Sequence, residues 1–105
     1  METITFTKKA LEELSKAKQE HSIPDDHFLR IGAHRNTSDT VIYGLTFVEN
    51  KEEHDIVWEH ESIKFCIDRP SLFYVEGKQI DYRYDQKQYR SGFIFEDAPH
   101  EKEKV

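Results

Sequence analysis

The sequence predicts a mostly β fold of the β-rich α+β class. It is a compact mixed β-sandwich or barrel of about seven short strands with one N-terminal helix. Two patterns carry this reading. Ala10, Leu11, Leu14 and Ala17 recur at helical spacing within a charged stretch. Beyond Pro24, short segments alternate apolar and polar residues between turns, most regularly where Val41, Tyr43, Leu45 and Phe47 share one face. The length of 105 residues sets the scale, that of one small domain.

The elements follow in order. Ile4-Thr5-Phe6 is an extended lead-in, and Thr7 is the N-cap of a helix over Lys8 to His21, its hydroxyl free to accept from an early helical N–H. Pro24 ends the helical region. Phe28 to His34 is a strand, Arg35 to Thr40 a polar loop, and Val41 to Val48 the alternating strand. A charged turn over Glu49 to Asp55 leads to short strands at Ile56 to Trp58 and Ile63 to Ile67. In the second of these, Ile63, Phe65 and Ile67 point one way and Lys64 and Cys66 the other. Pro70 suits the first position of a helical turn over Ser71 to Val75, which Gly77 ends. Gln79 to Tyr84 and Tyr89 to Glu96 complete the strands.

Composition excludes several function classes. The net charge of −6 and the absence of a basic aromatic stripe argue against nucleic acid as a partner. No apolar run approaches the roughly 20 residues of a membrane span, and Met1 to Phe6 lacks the basic start and apolar core of a signal peptide, so a cytoplasmic location is expected. Cys66 is the single cysteine, which rules out an intrachain disulfide and a Cys-x-x-Cys motif.

Six short motifs stand in a fixed order: ITFTKKALEEL from Ile4, LRIGAHR from Leu29, YGLTF from Tyr43, DIVWE from Asp55, IDRPSLFYVEGKQIDY from Ile67 and SGFIF from Ser91. Together they resemble the HesB/IscA family, the A-type iron-sulfur cluster carriers, from Ile4 to about Pro99. The resemblance implies a HesB-like domain over residues 1–98, followed by a solvated tail over residues 99–105. It also implies a role in iron-sulfur cluster assembly, iron or an iron-sulfur cluster as the family's cofactor, assembly proteins as partners, and self-association.

The departures from the family pattern fall on its chemistry. Where the family has its first cysteine, within a glycine-rich loop, this chain has Ser38, with Thr37 and Thr40 in place of glycines and Asp39 following. Lys104 falls near the first cysteine of the family's C-terminal Cys-Gly-Cys. Clusters are held chiefly by cysteine thiolates; a serine hydroxyl is a poor substitute, and a protonated lysine cannot ligate. No cofactor-binding residue of the family's kind therefore carries over, and the expected copy is a degenerate, non-enzymatic one that binds no cofactor and acts through protein contacts.

Other residues could supply a different chemistry. Cys66 lies mid-strand, where a packed apolar side chain is expected. His34 precedes the altered loop and His100 lies in the tail; with Asp39 they define the alternative, an oxygen and nitrogen site for iron, zinc or manganese. The carboxylates Glu49, Glu52, Glu53 and Asp55 lack the spacing of a calcium loop and read as a solvated turn. Asp68 and Asp81 read as turn and strand-end residues with structural hydrogen bonds. Ser38 and Asp39 near His34 lack a Gly-x-Ser-x-Gly elbow, so no catalytic residue is assigned. Of the aromatics Tyr43, Trp58, Phe73, Tyr74, Tyr82, Tyr84 and Tyr89, some are expected to reach the surface, where such residues favour interfaces.

Overall fold

The computed structural model describes residues 3–99. The chain runs β1 (Thr5–Phe6), α1 (Lys8–Glu20), β2 (Phe28–Arg35), β3 (Val41–Val48), β4 (Ile56–His60), β5 (Ile63–Ile67), α2 (Arg69–Val75), β6 (Lys78–Asp85) and β7 (Arg90–Asp97). The seven strands expected from the alternation are present, and β3 and β5 have the expected bounds. The strands form two sheets, ordered β1-β6-β7 and β3-β2-β5-β4, so the sandwich form is realised and no barrel closes.

The local chemistry sets the first helix. Thr7 Oγ1 accepts from the Ala10 N–H at 3.1 Å and donates to Asp81 Oδ1 at 2.7 Å, so one hydroxyl caps α1 and ties it to β6. The expected helical turn near Pro70 is a second helix, which starts earlier, at Arg69. The reason is Asp68, whose carboxylate accepts from the Ser71 N–H at 2.7 Å and caps the helix with proline in its first turn. Gly77 follows with φ of +84°, a left-handed conformation that glycine adopts without steric cost.

The core lies between the sheets and under α1. Leu29 and Ile31 of β2, Phe65 and Ile67 of β5, Ile80 of β6 and Ala10 and Leu14 of α1 are buried. Phe65 is sandwiched between Phe6 and Trp58, with ring centroids at 4.8 and 5.3 Å. Of the aromatics expected at the surface, Phe73, Tyr84 and Tyr89 are exposed, whereas Tyr43, Trp58, Tyr74 and Tyr82 pack partly buried against the core.

Two features join α2 to the larger sheet. β5 pairs with β2 only at Leu29, Arg30 and Ile31. Further along β2, the Ser71 hydroxyl takes the place of a neighbouring strand. It accepts from the Ala33 N–H at 3.0 Å and donates to the Ala33 carbonyl at 3.2 Å. Arg30, on the outer face of β2, pairs with Asp55 and approaches Asp68 at 3.9 Å.

Candidate functional site

The loop between β2 and β3 is where the chemistry of the resemblance would reside, and its own side chains fill its hydrogen bonds. Asn36 Oδ1 accepts from the Ser38 N–H at 3.0 Å, from Ser38 Oγ at 2.9 Å and from the Thr40 N–H at 3.1 Å. The Asp39 N–H donates to the Asn36 carbonyl, and the Asn36 N–H to the Thr40 carbonyl. The one loop residue with positive φ is Asp39, at +66°. Thr37 and Thr40 avoid that region, and the left-handed position falls to a residue type that tolerates it.

Charge braces the same loop. Arg35 Nη1 lies 2.6 Å from Asp39 Oδ1, and its guanidinium sits 5.9 Å from the ring centroid of Tyr74 on α2. The hydrogen bond that Arg35 donates to Asp39 also raises the affinity of the guanidinium for its proton. Just beyond the C-terminus of the same helix, the Ala98 N–H donates to the Gly77 carbonyl at 3.0 Å. The loop and the last described residues therefore both border the C-terminal half of α2. Phe73, edge-on to Tyr74 at 5.1 Å, stands 77% exposed beside them.

The expected site residues separate accordingly. Ser38 is exposed but spends its hydroxyl on Asn36. His34 is exposed on the outer face of β2, and Asp39 is engaged by Arg35. Among the described residues no group of three or more His, Cys, Asp or Glu side chains is arranged to hold a metal ion. His100 and Lys104 lie outside the described residues.

Cys66 is fully buried, as its mid-strand position implied, yet it does not face the inter-sheet core. It points to the outer face of β5, beneath the turn that carries Asp55. Burial pushes the Cys66 thiol up, the nearby Arg30 works in the opposite direction, and the neighbouring Asp55 carboxylate raises it further. A protonated, buried thiol is a poor nucleophile and a poor ligand. The Asp55 side chain is 1% exposed; its Oδ2 meets Arg30 and the Glu52 N–H, while Oδ1 has no hydrogen-bond partner among the described residues. The charged turn is thus not wholly solvated: Asp55 folds inward. Sequence reasoning passed over this Arg30–Asp55–Cys66 cluster, and an Asp beginning an apolar strand was its only signal.

Asp68 and Asp81 make the structural hydrogen bonds expected of them, but Asp68 caps α2 and Asp81 lies inside β6 instead of at a strand end. Asp81 accepts from Thr7 and from its neighbour's N–H, that of Tyr82, and the Thr7 bond holds its carboxyl below the usual aspartate range.

Comparison with known proteins agrees with this frame. Residues 2–97 match the family model described as iron-sulphur cluster biosynthesis. A protein of Aquifex aeolicus is 37% identical over 79 residues, covering 75% of this chain and 67% of that one. The iron-binding protein IscA of Serratia proteamaculans is 35% identical over 54 residues, 51% of this chain; the match spans only 50% of that protein's length. A crystal structure of IscA with a [2Fe-2S] cluster superposes with a TM-score of 0.71 over 90% of this chain and 84% of that one; at 19% identity it bears on the fold alone. With a family match that spans nearly all the described residues, the chain belongs to the iron-sulphur cluster biosynthesis family.

Proposed function

We propose that this chain serves iron-sulphur cluster assembly by contacting other assembly proteins, and that it neither holds a cluster through the family's thiolates nor catalyses a reaction. The observation that supports this most is the state of Ser38. At the position where the resemblance implies a cysteine, the side chain is a hydroxyl already bound to Asn36. Arg35 and Asn36 hold the loop through their own side chains. The remaining cysteine, Cys66, is buried and pushed toward the thiol form. The contact surface in this reading is the aromatic corner of α2, where exposed Phe73 stands next to Tyr74 and Arg35. Aromatic and arginine side chains are the residue types that anchor protein interfaces. A cytoplasmic location accompanies this reading.

The test mixes the protein anaerobically with a cysteine-bearing member of the same family that carries a [2Fe-2S] cluster, then separates the species by size. A complex whose colour stays with the cysteine-bearing protein, and which weakens at least tenfold in Phe73→Ala, is expected. Transfer of the colour to this chain, or no complex at all, would overturn the reading.

A further inference from the structure

β3 and β7 each end a sheet, and they face one another without pairing. The sheets touch where Tyr43 stacks on Phe95 at 4.5 Å, and beside that contact they part to leave a cleft of about 740 Å³. One wall is Val41, Tyr43, Leu45 and Phe47 of β3, and the other is Phe93 and Phe95 of β7. All six are only partly buried, so the cleft presents apolar surface that the fold leaves uncovered. Leu14 of α1 and Leu29 of β2 lie at its base. Cavities of this size, apolar within and polar at a few points, are typical of small-molecule sites.

The rim decides what kind of molecule fits. Its polar side chains are His21, Gln88 and Arg90, and no carboxylate lines the cleft. Arg90 donates from Nε to Gln88 Oε1 at 2.9 Å and makes no ion pair with a carboxylate among the described residues. Asp85, the cross-strand partner of Arg90, accepts from the Lys87 N–H and forms no ion pair with Arg90, so in a chain of net charge −6 this guanidinium at the rim is complementary to an anionic head. The β3 wall runs from Val41 to Phe47, roughly 20 Å at the rise of a strand, so the trough suits a chain more than a disc. A single guanidinium is too little for a polyphosphate but matches one carboxylate.

We propose that this cleft binds a linear long-chain carboxylate, its alkyl chain between β3 and β7 and its head at Arg90. The cleft shares no residue with the loop that carries Ser38.

The test titrates the protein with dodecanoate below its micelle concentration, reading backbone amide shifts by NMR and heat by calorimetry. Saturable one-to-one binding is expected, with shifts at Leu45, Phe47 and Phe93. Octanoate should bind at least tenfold more weakly, because each buried methylene contributes roughly 0.8 kcal/mol. Arg90→Gln should weaken dodecanoate about two- to fivefold, the range for a partly exposed charge pair, and leave dodecanol unchanged. Leu45→Trp, which fills the trough, should abolish binding while the spectrum stays folded. Absence of saturable binding, equal affinity for octanoate, an unchanged Arg90→Gln, or adsorption to anionic phospholipid vesicles without binding of monomeric dodecanoate would each overturn the proposal.

Discussion

The hydroxyl of Ser71 satisfies both backbone groups of Ala33, accepting its N–H and donating to its carbonyl. The strand that would otherwise do so, β5, no longer pairs with β2 at that point. Ser71 is 5% exposed, so water cannot take over. Ser71→Ala should therefore cost about 2–3 kcal/mol, the penalty for leaving buried backbone groups unpaired. Urea denaturation would measure it, and amide exchange should show Ala33 losing protection. A loss under about 0.5 kcal/mol with Ala33 still protected would show that α2 is held by other contacts.

Among the described residues, Arg30 and Asp55 form the ion pair most shielded from water. With the Asp55 side chain 1% exposed and that of Arg30 21% exposed, removing the guanidinium strands a buried carboxylate. Arg30→Ala should lower stability by about 3 kcal/mol. Replacing both, as Arg30→Met with Asp55→Leu, should recover most of that loss, since a buried pair is often no better than well-packed apolar residues. If the double variant were as unstable as the sum of the single changes, the pair would not be the cause.

The Thr7–Asp81 bond makes a pH-dependent contribution. The Asp81 carboxyl is lowered first by the Thr7 hydroxyl and then by the Tyr82 N–H and Arg83, against the opposing effect of burial. A depressed folded value means the stabilisation is fully present above the unfolded aspartate value, about pH 4. It is lost as the pH falls below that and through the lower folded value. Thr7→Ala should return Asp81 toward the ordinary value in an NMR carboxyl titration. It should also cost about 1 kcal/mol at neutral pH through the lost helix cap. An Asp81 titration unmoved by this substitution would contradict the assignment.

Cys66 should react very slowly with a thiol reagent at pH 8 in the folded protein and at the rate of a free cysteine in urea. Burial removes access and keeps the proton on sulfur. Fast native labelling would show that the turn over Cys66 opens readily.

Much of the frame was legible because it is written locally. The alternation of Val41, Tyr43, Leu45 and Phe47 set β3 and its inward face, and Thr7 before the apolar spacing of Ala10 and Leu14 set the start of α1. What escaped depends on partners distant in sequence. Ser71 reads as an ordinary helix residue until β5 is seen to stop at Ile67. The inward turn of Asp55, which sets its carboxylate beside Arg30 and the buried Cys66, arises only when residues 49–55 fold back onto the sheet. At the loop, Ser38 was legible through its place in the resemblance. The acceptor role of Asn36 and the Arg35–Tyr74 contact were not, because nothing in RNTSDT indicates that α2 lies alongside.

The most direct measurement is anaerobic reconstitution with iron and sulfide, followed by visible absorbance and iron analysis of the desalted protein. No retained charge-transfer absorbance and substoichiometric iron are expected, in the natural sequence and equally in Cys66→Ala. A stable brown species with stoichiometric iron and sulfide, lost on Cys66→Ala, would contradict the reading that this chain has given up the family's thiolate chemistry.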